Sequence, residues 1–64
     1  MSNTINARDD YESSILPTDS KEKLEKIANR IAIRHKVVAE YYDGEIEFFV
    51  CEDDEEPGFV GEKE

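Results

Sequence analysis

The sequence predicts an α+β fold, one helix packed on a small antiparallel or mixed sheet in the order β-α-β-β, followed by a disordered acidic C-terminal tail. Three observations carry that prediction: the dipeptide Asp43-Gly44 between two alternating runs, an apolar stripe at helical spacing over residues 24–31, and a short run at 11–16 that can supply another strand. An Asp-Gly pair flanked by strand formers marks a two-residue type I′ hairpin, because both central positions take positive φ. The implied organisation is a flexible tail over residues 1–10, one small domain over 11–51 and a flexible acidic tail over 52–64.

The first strand is assigned to YESSIL, residues 11–16, since an isolated hairpin is marginal in water. Its alternation does not decide whether Tyr11, Ser13 and Ile15 face inward or Ser14 and Leu16 do. Paired beside the hairpin, it brings Glu12 onto the same surface as the hairpin carboxylates; as an extended arm, it pairs with another chain.

The helix follows Pro17 and runs over about residues 19–35, with Leu24, Ile27, Ala28 and Ile31 at the i, i+3, i+4, i+7 spacing of one buried face. Asp19 is its expected N-cap, with Thr18 and Ser20 as alternatives, and Glu22 and Lys26 stand one turn apart as a favourable ion pair. No glycine marks its end, which is placed near His35. A second stripe flanks the apolar one, because Lys23, Lys26, Arg30 and Arg34 fall within an arc of about 80° on the helical wheel. That stripe reads as a solvated face offsetting the protein's own acids, or as a ridge for an acidic partner or phosphate.

Counting outward from the turn fixes the hairpin register. Tyr42 faces Glu45, Tyr41 faces Ile46, Glu40 faces Glu47, Ala39 faces Phe48, Val38 faces Phe49 and Val37 faces Val50. One face then holds Val37, Ala39, Tyr41, Ile46, Phe48 and Val50, which is the expected core. The other holds Val38, Glu40, Tyr42, Glu45, Glu47, Phe49 and Cys51. Glu40 directly opposite Glu47 is unfavourable by itself, so a cation from elsewhere, a Lys or Arg of a partner, is expected to neutralise the pair.

Charge narrows the function classes. With 17 acids against 8 Lys and Arg the net charge is −9, which opposes direct contact with nucleic acid or an anionic membrane. The distribution is uneven: −3 over residues 1–19, +4 over 20–36, −4 over 37–50 and −6 over 51–64. A single cysteine excludes an internal disulfide, and no run resembles a signal peptide or membrane span, so the expected setting is cytoplasmic. Chemistry is sparse. His35 lies near the apolar stripe with no second catalytic group beside it in sequence, Cys51 with one histidine cannot complete a zinc site, and EDDEE lacks the alternating ligands of a calcium loop. No catalytic residue, metal or cofactor is expected.

Three stretches of the chain each resemble part of a known family. SSILPTDSKEKLEKIANRIA resembles the strand and first helix of ribbon-helix-helix repressors, but the hairpin stands where that family has its second helix, and Glu12 where it reads bases. ESSILP is similar to the Glu-Ser-Ile segment of phage uracil-DNA glycosylase inhibitors, which implies Glu12 and Ser13 as contacts; this chain is too short for that inhibitor's sheet. DGEIEFFV followed by PGFVGE resembles the hairpin of short HicB-type antitoxins, without the helix that follows it there. None covers enough of the chain to assign a family.

Small size and strong acidity imply a non-enzymatic binding protein. The expected type is a phage or mobile-element inhibitor, acting as a DNA mimic on the basic, nucleic-acid-binding surface of a larger host protein such as a nucleic-acid-processing enzyme. Its expected contact residues are Glu12, Val38, Glu40, Tyr42, Glu45, Glu47 and Phe49. The alternative is an antitoxin-like or adaptor subunit that homodimerises and whose tail folds on binding. A monomer or weak dimer is expected in isolation, since self-association would gather like charges.

Overall fold

The computed structural model describes residues 3–62. Residues 1, 2, 63 and 64, the outer ends of the two expected tails, lie outside the described residues. The elements are α1 (Asn3–Ser14), α2 (Lys21–His35), β1 (Val37–Tyr42), β2 (Glu45–Val50) and β3 (Gly58–Glu62). They form an α+β domain with a three-stranded mixed sheet in the order β2-β1-β3, β1 antiparallel to β2 and parallel to β3. The expected β-α-β-β order is therefore corrected to α-α-β-β-β.

Residues 11–14 belong to α1, not to a strand. Inside the helix the backbone satisfies its own hydrogen bonds, and Ala7 and Tyr11, four residues apart, share one side and are both buried. Tyr11 meets Phe48 of β2 edge to face, ring centroids 5.4 Å apart. Asp10 then ties α1 to the end of α2, its Oδ2 lying 3.0 Å from His35 Nε2 and 3.4 Å from Arg34 Nη1. His35 is thus a partly buried tether with an acid beside it, a neighbour that the sequence order hides.

Between the helices, residues 16–19 close a reciprocal turn. Leu16 N–H donates to Asp19 Oδ2 at 2.9 Å, and Asp19 N–H donates to Leu16 O at 3.0 Å. Asp19 is consequently occupied, and the N-cap of α2 is Ser20, whose side chain accepts from Lys23 N–H at 3.3 Å. At the other end, Lys36 takes the left-handed conformation (φ 58°, ψ 47°) and its N–H reaches the carbonyls of Ala32 and Ile33. The helix stops at His35 as expected, with lysine doing what glycine usually does.

All the hairpin pairs counted from the sequence are present, Glu40 opposite Glu47 among them. Asp43 and Gly44 have φ of 52° and 81°, the positive values a type I′ turn demands. Val37, Ala39 and Phe48 join Ala7, Tyr11, Ala28, Ile31 and Ala32 in one core, with Ile15, Leu24, Ile27, Ile46 and Phe59 packed against it. Val50, expected in that core, is 70% exposed at the end of β2, although Val37 opposite it is buried.

The acidic tail is also corrected. Residues 51–57 carry the chain past β1 to its far side, where β3 pairs with β1 in parallel. The acidic run satisfies itself locally: Glu55 N–H donates to Glu52 O and Glu52 N–H to Glu55 Oε1, both at 3.0 Å, and Cys51 Sγ donates to Glu55 O at 3.3 Å. Phe59 then anchors the strand, its ring 5.5 Å from that of Tyr41 and its N–H 2.9 Å from Asn29 Oδ1. Gly58, at φ 134°, permits this approach, since a Cβ there would stand 2.8 Å from Asn29 Oδ1.

Candidate functional site

Both helices bury their apolar residues against one face of the sheet, so the pleat sends Val38, Glu40, Tyr42, Glu45, Glu47 and Phe49 to the other. The structure divides these expected contact residues into two groups. Val38 is 3% and Glu40 8% exposed, so little of either is accessible in this structure. They sit on the central strand, flanked on both sides, and alternation alone does not report what neighbours cover. Tyr42 and Phe49 remain 60% and 40% exposed, and Val60 of β3, unsignalled in the sequence, adds an apolar residue at 57%.

Tyr42 and Phe49 stand on either side of the Glu40–Glu47 pair in the register, yet their ring centroids are only 6.3 Å apart. The two rings therefore lean together over that acidic row. For Glu47 the cation comes from the chain itself and not from a partner: Arg8 Nη1 lies 3.6 Å from Glu47 Oε2, and Arg8 Nε lies 3.5 Å from Glu12 Oε1. Glu12 and Glu47 thus meet at Arg8, and with Glu45, Tyr11 and Ile46 they line a shallow groove of about 290 Å³. Glu12 reaches this position from a helix, not from the strand that was expected.

A second surface lies on the helices. Lys23, Lys26, Arg30 and Arg34 of α2 line a groove of about 450 Å³ with Ser14 at the end of α1. The stripe was legible from helical spacing; its opposite wall was not, because residues 11–16 read as a strand.

Partial burial pushes the Cys51 thiol up, and Glu55, Glu52, Asp53 and Asp54 push it further, so the thiolate is disfavoured and with it nucleophilic reactivity. Among the described residues no three His, Cys, Asp or Glu side chains are grouped to hold a metal ion, and no helix is long and apolar enough to cross a membrane. Comparison with known proteins finds no matching family model, curated relative or solved structure.

Proposed function

We propose that this protein is a small non-enzymatic binding protein that docks through the helix-free face of its sheet onto a basic surface of a larger protein. One observation carries the reading: Tyr42, Phe49 and Val60 are exposed on that face, with Glu45, Glu47 and Glu12 at its β2 side. Exposed aromatics bordered by charge are the usual makings of a binding hot spot with a steering rim. A nucleic-acid-binding surface is the class of basic partner such a rim fits, and an inhibitor of phage or mobile-element type is the corresponding role. The test is capture of partners on the immobilised chain, repeated with Tyr42→Ser/Phe49→Ser and with Glu45→Gln/Glu47→Gln. A basic protein retained by the wild type, released by nucleic acid and lost with both variants supports the reading; equal retention by the variants refutes it.

A second reading has its own observation. β3 is an edge strand carrying the exposed Val60, and edge strands pair readily with another chain. An adaptor subunit dimerising there would sediment as a tight dimer even at low salt, whereas the first reading expects a monomer.

A further inference from the structure

The helical groove points to a second interaction, independent of the sheet face. Its two ends are held by the chain's own acids, Lys23 Nζ lying 3.2 Å from Asp19 Oδ1 and Arg34 Nη1 3.4 Å from Asp10 Oδ2. Lys26 and Arg30, between them, make no ion pair among the described residues. In a chain with 17 acids and only 8 Lys and Arg, two adjacent cations left unmatched are notable. Glu22 stands one helical turn before Lys26, where an ion pair is ordinarily favourable, and does not form it. The floor between these cations is apolar, made by Ile27 and the 3%-exposed Ile31.

We infer that this groove binds an acidic peptide segment of a partner protein, its carboxylates on Lys26 and Arg30 and one large apolar side chain on Ile27. The dimensions agree. From Lys23 to Arg34 the helix rises about 16 Å, the span of roughly five extended residues. A nucleic acid fits less well, because no aromatic side chain lines the groove to stack a base. The net charge of −9 also opposes a long polyanion. A short peptide meets only the local cations, since at physiological salt charges farther than about 8 Å are largely screened. None of the lining residues comes from the sheet or the acidic crossover.

The test is selection of short random peptides on the full chain, with counter-selection on a Lys26→Glu/Arg30→Glu variant whose fold is checked by circular dichroism. Enriched peptides should combine several acids with a large apolar residue, bind more weakly as salt rises, and lose about tenfold or more in affinity on the variant. Their amide shift changes should fall on residues 23–34. Should the charge reversal unfold the chain, Lys26→Gln/Arg30→Gln replaces it. Failure to enrich acidic sequences, equal binding by the variant, or tighter binding of a single-stranded oligonucleotide of equal charge overturns the inference. So does dimerisation of the chain that the variant abolishes, which would make a second copy the occupant. Loss of the sheet-face partner has no bearing on this result, and the groove variant leaves the sheet face intact.

Discussion

The N–H of Phe59 donates to Asn29 Oδ1 at 2.9 Å, so a helix side chain adds to the pairing with β1 in holding the start of β3. Asn29→Ala should cost about 1 kcal/mol, the usual net worth of one hydrogen bond. Amide exchange should then accelerate in β3 before it does in β1 and β2. Uniform acceleration across the sheet would contradict a local latch.

Gly58→Ala should cost more, on the order of 1–3 kcal/mol, because an alanine is strained at that φ and its Cβ would crowd Asn29 Oδ1 at 2.8 Å. The steric part disappears when Asn29 is already alanine. Urea unfolding of both single variants and the double variant should therefore give less than the sum; strict additivity would refute the clash.

Arg8 spans Glu12 and Glu47, and the pair with Glu47 is partly exposed. A double-mutant cycle with Arg8→Met and Glu47→Gln should give a coupling of about 0.2–1 kcal/mol that shrinks as salt rises. Glu47→Gln should lose less stability than Arg8→Met, since it also relieves the repulsion from Glu40. A coupling of opposite sign would show that Arg8 does not neutralise Glu47.

Asp19 sets an acid limb. The hydrogen bond from Leu16 N–H, foremost, and the Lys23 ammonium hold its carboxyl below the ordinary 3.8, against an opposing effect of burial. Because the folded value is the lower one, this stabilisation is complete above the unfolded value and is lost as pH falls through the folded one. Thermal melts should show Asp19→Asn less stable than wild type at neutral pH, with the difference closing below about pH 4. A gap that persists in strong acid would assign the effect to something other than charge.

Lys36→Gly should raise stability. Left-handed geometry costs an L-residue about 1–2 kcal/mol, only part of which glycine's greater freedom when unfolded returns. An increase of a few tenths to about 1 kcal/mol is expected in the melting temperature comparison; a decrease would mean that the lysine side chain stabilises the cap.

The hairpin and α2 were legible because each carries a strong period and a local signal. Asp43-Gly44 sets every cross-strand pair, and Leu24, Ile27, Ala28 and Ile31 define a stripe that packing then buries or half-buries. α1 offers no such stripe, burying only Ala7 and Tyr11. In β3 the apolar residues Phe59 and Val60 lie between glycines and behind an acidic run, so composition suggested a tail. The surface was half legible for a related reason. Alternation assigned Val38 and Glu40 to the correct face, while their burial depends on neighbours, one of them the unforeseen β3.

Arg8 touches Glu47 while Tyr11 touches Phe48, successive residues that point to opposite sides of β2. α1 therefore brackets the edge of that strand. The sheet has two outer strands, β2 and β3, and only β2 has side chains of α1 on both of its faces. For a chain with exposed Val60 and Val50, a helix set across one outer strand hinders another chain's strand from stacking on that side, the step by which edge strands seed fibrils.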